Sequence, residues 1–493
     1  MFETELGPNH PGAAGALCWL ASVLKKQEEY DEAEPIYRRA LTQAERKHGP
    51  EHPLVMDCLL ALAELLTTLG RYDEAEVLTR RAVGSFDKPG MDAEDRAAAL
   101  NGLATVLTSE GKHAEAEELY RRALVVYEKE MGTDHRQDRS PEAVNRLWLP
   151  IKFAVALNRL ASLLNQLRRY AEAEPLFRRA LAIDEESRGP NHPSVACELN
   201  NFANALCGLG RYAEAEPLHR RAVRILDETL GPDHQQTAHA MYGLGIPLAA
   251  LGRYAEAEPL LRRALAVHEK KMGPDHPYSL RTVMGLTNAL TKQGNYAEAE
   301  PMVLSAIATR EQRLGPNHPD TAHALHTAGV LYSEQGRFAE AEGYLGRAVD
   351  TRTRALGPEH QDTLESRDAL ALLEERQGRY AEAESLYRDV LEKRERVQGP
   401  DHTDIAATTS QLAGICGRDG RYAEAEALYR RALAIREKVF GPDHPFSAET
   451  LEGLAEVCEQ TGRTSEAQEL SARAQRIREQ NAKAAQAQAQ SPS

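Results

Sequence analysis

The octapeptide RYAEAEPL occurs three times without a change, at residues 169–176, 211–218 and 253–260, so its copies stand 42 residues apart. A second marker keeps the same ruler. Gly-Pro-x-His or a near copy begins at Gly7, Gly49, Gly132, Gly189, Gly231, Gly273, Gly315, Gly357, Gly399 and Gly441, and from Gly189 onward every gap is 42. Between Gly49 and Gly132 the gap is 83, which places one degenerate marker near Gly90 and makes eleven units. A fixed period of this length means one supersecondary unit repeated along the chain, each copy burying its apolar face against its neighbours.

Each unit reads as two helices. In the fifth, a first helix is expected from about Pro193 to Leu209 and a second from about Tyr212 to Leu230, with Gly210 and Gly231 closing them. Within Gly-Pro-x-His-Pro the first proline forbids continuation, and the second suits the opening turn of the next helix. Small residues mark the crossings. The second helix carries Ala at one place in all eleven units (Ala33, Ala75 and Ala116 through Ala467), and the first helix is Ala, Gly or Thr at another, from Ala21 to Ala455. Helix axes approach within ~8–10 Å only where such side chains meet. The fold class expected is therefore all-α, a right-handed superhelical solenoid of helix-turn-helix pairs over residues 1–480. The pairs fall roughly at 7–48, 49–89, 90–131, 132–188 (with an insertion near 136–150), 189–230, 231–272, 273–314, 315–356, 357–398, 399–440 and 441–480. Residues 481–493, NAKAAQAQAQSPS, form a low-complexity tail that is expected to fray.

Composition narrows the function. A net charge of −15 argues against a general nucleic-acid binder, which needs clustered surplus Lys and Arg. The six cysteines contain no CxxC pair and read as small buried thiols of a reducing compartment. No apolar run reaches the ~20 residues of a membrane span, and MFETELGPNHPG lacks the blocks of a signal peptide, so a cytoplasmic protein with no membrane contact is expected. There is no GxxxxGK[ST], HExxH or GxSxG. The histidines of the Gly-Pro-x-His slot lie too far apart, on the order of 10–20 Å, to share an ion, and read as turn residues. His239, His323 and His326 on first helices lack a carboxylate or thiol partner in the pattern. No catalytic residue, metal site or cofactor is expected; the chain reads as a non-enzyme.

Gly-Arg-Tyr opening the second helix, with Ala-x3-aromatic inside it (Ala33/Tyr37, Ala116/Tyr120, Ala425/Tyr429), resembles the tetratricopeptide repeat. The 42-residue form with L-G-P-x-H and L-N-N-x-A (Leu230–His234, Leu199–Ala203) is similar to the repeats of kinesin light chain and nephrocystin-3-like proteins. The resemblance implies a protein-interaction scaffold whose first helices line a concave groove. It also implies that asparagines of the L-N-N-x-A motif hold the backbone of a bound peptide, a role a carboxamide suits because it both donates and accepts. The groove residues expected to contact a peptide are Asn158, Asn165, Asn200, Asn201, Asn204, Tyr242, Arg281 and Asn288, with Trp148 in the insertion as a partner anchor. Glu365, Asp368 and Glu375, with Glu449, Glu452, Glu456 and Glu459, make the far end of the groove acidic and suggest that a bound segment is basic there. The alternative function is a sensor or oligomerisation arm whose catalytic module sits on another chain. The chain opens on the end of a second helix, which leaves Trp19 and Leu20 partly uncovered and makes self-association through the N-terminal end an expected contact.

Overall fold

Every described element is an α-helix, and most start and stop where the repeated turn residues stand. The structure, a computed structural model, describes residues 13–26, 29–87, 92–131, 148–398 and 402–489, and the side chains of all of these but 26, 445 and 481–489. The markers His10 and His135, the insertion up to residue 147 and residues 490–493 lie outside the described residues.

The chain divides into two compact units, 1–201 and 202–493. The first holds α1 (Ala13–Lys26), α2 (Tyr30–His48), α3 (Pro53–Thr68), α4 (Tyr72–Phe86), α5 (Ala93–Glu110), α6 (His113–Met131), α7 (Leu149–Gln166) and α8 (Tyr170–Arg188). The unit boundary falls within α9 (Pro193–Gly208). The second unit continues with α10 (Tyr212–Leu230), α11 (Gln235–Ala250), α12 (Tyr254–Met272), α13 (Pro277–Lys292), α14 (Tyr296–Leu314), α15 (Pro319–Glu334) and α16 (Phe338–Leu356). It ends with α17 (Gln361–Arg376), α18 (Tyr380–Gln398), α19 (Thr403–Arg418), α20 (Tyr422–Phe440), α21 (Pro445–Gln460) and α22 (Thr464–Ala489). Odd-numbered helices are the first of each pair. The final helix runs on through the Ala- and Gln-rich stretch to Ala489, where the sequence is rich in residue types of high helix propensity.

The histidines of the turn marker do more than turn the chain. In each of eight pairs, Nδ1 of the marker histidine accepts a hydrogen bond from the backbone N–H two residues on, as in His192 to Ser194 at 3.2 Å and His318 to Asp320 at 3.1 Å. The same holds for His52, His234, His276, His360, His402 and His444. They are N-caps, satisfying a donor that the first turn of a helix leaves free. In the third pair, where the marker is degenerate, Asp92 takes the task and accepts from Glu94 N–H at 2.8 Å.

The alanines of the repeated word form the core. Ala33, Ala75, Ala116, Ala173, Ala215, Ala257, Ala299, Ala341, Ala383, Ala425 and Ala467 are all fully buried. Where the first helix has Gly in place of Ala, the space is already taken: a Cβ on Gly245 would lie 2.6 Å from the Leu261 side chain. Within each unit, first helices of consecutive pairs touch each other (α3 with α5, α5 with α7, α13 with α15). Second helices of consecutive pairs are instead linked by long side chains. First helices therefore crowd on the inner side of each curved array, and the second helices spread on the outer side.

Those outer links explain the invariant word. In most pairs the arginine that opens RYAEAE, or its counterpart, pairs with the first glutamate of its own unit and with the second glutamate of the preceding one; Arg379 keeps only the second contact, to Glu342, and turns to Glu374 for the other. Arg71 joins Glu74 at 2.6 Å and Glu34 at 2.7 Å; Arg421 joins Glu424 at 3.1 Å and Glu384 at 2.7 Å. Arg169, Arg337 and Arg463 repeat the clasp. Within one helix, Arg220 also pairs with Glu216.

Unit 2 also folds back on itself. His402 Nε2 lies 3.3 Å from the Gly208 carbonyl oxygen, and the Tyr212 ring stacks on Phe440 at 6.5 Å between centroids. Gly210 sits in this contact with φ of 73°, and a Cβ there would stand 2.2 Å from Thr403 Oγ1, so both backbone and space require glycine.

Candidate groove sites

The inner face of unit 1 contains a cavity of about 850 Å³ lined mainly by the first helices α3, α5 and α7. Its apolar floor includes Met56, Leu60, Val106 and Val155, and Trp148, 59% exposed at the start of α7, stands at its edge. Among its polar residues, Lys152 is in close contact with Glu94, Lys25 takes Glu64 at 2.8 Å, and Arg159 donates to Thr105 Oγ1 at 2.7 Å. Asp57 and Asp95 have no ion pair among the described residues. Asp95 is pushed up to about 6, by burial first and then by the charges of Asp92 and Asp57. Asn101 is 8% exposed, and its Oδ1 is buried with no hydrogen-bond partner among the described residues.

Four of the eight asparagine, tyrosine and arginine positions expected from the sequence lie in this unit. The carboxamides of Asn158 on α7 and Asn201 on α9 meet, Nδ2 of Asn201 donating to Oδ1 of Asn158 at 3.2 Å. Nδ2 of Asn158 and Oδ1 of Asn165 remain buried without a partner among the described residues. Asn200 is half-buried. The other four lie in unit 2: Asn204 and Tyr242 are half-buried, and Asn288 and Arg281 are exposed, the Arg281 guanidinium lying 5.9 Å from the Tyr242 ring centre. The structure thus joins Asn158 to Asn201 and Tyr242 to Arg281, and places Trp148 on the cavity with Asn101.

The sequence reading missed a column of arginines in unit 2. Arg310, Arg352, Arg394 and Arg436 stand 42 residues apart on the second helices and are buried. Each donates to a backbone carbonyl in the first turn of the following first helix: Arg310 to Asp320 at 2.8 Å, Arg352 to Asp362 at 2.6 Å, Arg394 to Asp404 at 3.1 Å, and Arg436 to Phe446. Three also reach a hydroxyl one turn further on, at Ser366, Thr408 and Thr450. The signal was present, since one column of the repeat changes from Asp184, Leu226 and His268 to four arginines in succession.

This column alters the acidic groove. Asp368 lies 3.4 Å from Arg394 and accepts from Thr408 at 2.9 Å, Glu365 lies 3.4 Å from Arg352, and Glu452 lies 2.6 Å from Arg478. Tyr387 donates to Glu375 at 3.3 Å. These four carboxylates already have internal partners, whereas Glu449, Glu456 and Glu459 are exposed and make no ion pair among the described residues, so only part of the acidic far end is neutralised from within. A smaller cavity of about 220 Å³ there is lined by groups of both signs, among them Lys292, Glu334, Asp368 and Arg376. His326 meets Ser366 at 3.3 Å and Glu365 at 3.8 Å. Among the described residues no three His, Cys, Asp or Glu side chains converge as metal ligands would, and no helix is long and apolar enough to cross a membrane.

An all-helical array with its inner face built from one helix of each pair defines a helical-repeat protein. The tetratricopeptide repeat profile matches residues 12–88, 152–197, 194–270, 248–312, 280–354, 332–396, 369–437 and 404–480, and a second profile of the same description matches 96–137. The chain belongs to the tetratricopeptide repeat family. Such repeats generally mediate contacts between proteins, and the families that carry them are generally non-catalytic. No curated protein matches the chain. Among solved structures, the apo form of RapI is 15% identical, covers 78% of this chain and 98% of its own, and has a TM-score of 0.55, a likeness of fold. BtubC (BKLC) from P. vanneervenii is 22% identical over 49% of this chain and 92% of its own, with a TM-score of 0.38. A Podospora anserina putative kinesin light chain with nearly identical TPR-like repeats is 26% identical over 42% of this chain and 98% of its own, with a TM-score of 0.33.

Proposed function

We propose that the chain is a non-enzymatic interaction scaffold that holds a peptide segment of a partner protein against the inner face of unit 1. The observation that carries this reading is the Asn101 Oδ1, buried without a partner on the wall of the 850 Å³ cavity. An unmet acceptor costs about 1–3 kcal/mol, a cost that a ligand N–H removes. Trp148 at the rim supplies the exposed aromatic surface that interface anchors use. Asn158, Asn165, Asn200 and Asn201 extend the polar strip along α7 and α9, and Asn204, Tyr242, Arg281 and Asn288 are the corresponding contacts proposed in unit 2.

The test is selection of a random-peptide display library on the intact chain, read beside the double variant Asn101→Leu/Trp148→Ala. Retained peptides should bind the variant at least about tenfold more weakly. Retention no greater than on a bare support, or equal retention by the variant, overturns the reading.

The second reading, an assembly arm for a catalytic module on another chain, is favoured by Trp19 and Leu20, which stand 71% and 43% exposed on α1. On that reading the intact chain self-associates in sedimentation and Trp19→Gln returns it to a monomer. A wild-type chain that stays monomeric removes it.

A further inference from the structure

Resting on the peptide reading of unit 1, we infer that its cavity takes a cationic side chain of the bound segment, a guanidinium or ammonium, between Asp57 and Asp95, beside an aliphatic residue on the apolar floor.

Counting charge across the cavity leads to this ligand. Four carboxylates face it (Asp57, Glu64, Glu94 and Asp95) against two cations, Lys152 and Arg159. Glu94 is engaged by Lys152 and Glu64 by Lys25, while Arg159 is turned to a threonine hydroxyl. That leaves Asp57 from α3 and Asp95 from α5 without an ion pair among the described residues, Lys152 acting on both only from a distance while it is engaged with Glu94. Asn101, about 1.7 turns along α5 from Asp95, adds a carbonyl oxygen with no donor among the described residues. The unmet groups are thus all acceptors. An occupant must bring N–H donors and positive charge, and a guanidinium with five N–H groups meets both needs at once.

The apolar floor suits the rest of such a residue. Arg and Lys carry hydrocarbon stems that lie along apolar surface while the charged head reaches a polar one. Met56, Leu60, Val106 and Val155 offer that surface next to the two carboxylates. The exposed indole of Trp148 at the rim can stack on a guanidinium or cover the neighbouring aliphatic residue. In unit 2, by contrast, the groove carboxylates Asp368 and Glu365 already face Arg394 and Arg352.

The experiment uses the peptides retained by the intact chain. They should be enriched in Arg or Lys next to an aliphatic residue, and replacing that Arg by citrulline, equal in shape but neutral, should weaken binding about tenfold or more. In the variant Asp57→Asn/Asp95→Asn the arginine and citrulline peptides should bind alike. A variant with the same loss of charge on exposed positions elsewhere, Asp350→Asn/Glu392→Gln, should keep the wild-type preference, which separates a site from general attraction to an acidic chain. Far-UV circular dichroism checks that both variants fold. If Asp57→Asn/Asp95→Asn does not fold, the single variant Asp57→Asn, at an exposed position, carries the comparison. Retained peptides that are neutral or acidic, or cationic peptides indifferent to the Asp57 and Asp95 changes, overturn the inference and leave the peptide reading standing. Retention of no peptide at all overturns both.

Discussion

The two units share one packing frame and differ in how they line it. In both, buried alanines set the helix spacing, histidines cap the first helices and outer arginines clasp neighbouring pairs. Inside, unit 1 leaves acceptors unmet around a wide cavity, with Asp57, Asp95 and Asn101 on its walls. Unit 2 fills the corresponding space with Arg352, Arg394 and Arg436, which tie its carboxylates, hydroxyls and helix starts together. A repeat array can therefore hold its curvature constant and spend its inner positions on either internal cohesion or external contact.

The comparison breaks most sharply at Arg394. Arg394→Met leaves Asp368 without its cation and should destabilise unit 2 by about 3 kcal/mol, with Asp368→Leu added on top recovering much of the loss. Asp57→Asn in unit 1 should change stability by no more than about 0.5 kcal/mol, since the residue is exposed and no ion pair holds it among the described residues. Both tryptophans, Trp19 and Trp148, belong to unit 1, so indole fluorescence in a urea titration follows that unit alone and far-UV circular dichroism follows both. Equal costs for the two substitutions would erase the distinction drawn between the linings.

Acidity should move the two units in opposite directions. In unit 2, burial lowers His219 from 6.5 to about 3, and lowers His268 and His444 to about 4, with neighbouring cationic groups adding to the last two. The unfolded chain binds those protons first, so their contribution to stability is present above pH 6.5 and is lost as pH falls toward 4 and 3. In unit 1, burial and then Asp184 raise Glu198 from 4.5 to about 8. Here the folded state holds the proton, and the contribution present below pH 4.5 is lost as pH rises through 8. Between about pH 5 and 8, the fluorescence midpoint should fall with rising pH while the part of the dichroism signal belonging to unit 2 rises. Glu198→Gln should flatten the fluorescence trend, and parallel slopes from the two probes would contradict it.

The smallest effect tests what the units have in common. His192→Ala in unit 1 and His360→Ala in unit 2 each remove an N-cap acceptor and should each cost about 1 kcal/mol, whereas Asn at either position should stay within a few tenths. A large inequality between the two would mean that the caps are not one shared device.

Most of the frame was legible in the sequence because it is periodic. The alanine column, the glycine turns and the helix boundaries each repeat often enough to be read without neighbours, and Trp19 and Leu20 are as uncovered as their position implied. The capping role of the histidines was not read, since a ring nitrogen as a helix cap is a matter of geometry within the turn. Nor was the arginine column, although its spacing was in plain sight: a charged residue on a repeated helix reads as solvated until the burial of its neighbours is known. Asp57 and Asp95 carried no periodic mark at all. They become notable only because α3 and α5 bring them to one cavity and because the cations nearby are committed elsewhere.

The arginine clasp on the outer side has a consequence for how such a chain grows. Most junctions are written in the same few letters on both sides, so a 42-residue cassette spliced in or cut out at a Gly-Pro turn between two of them meets, at its new border, the partner it already knows. Length becomes a freely adjustable quantity, and the unchanged octapeptides at 169, 211 and 253 are what a recent doubling of such a cassette would leave behind.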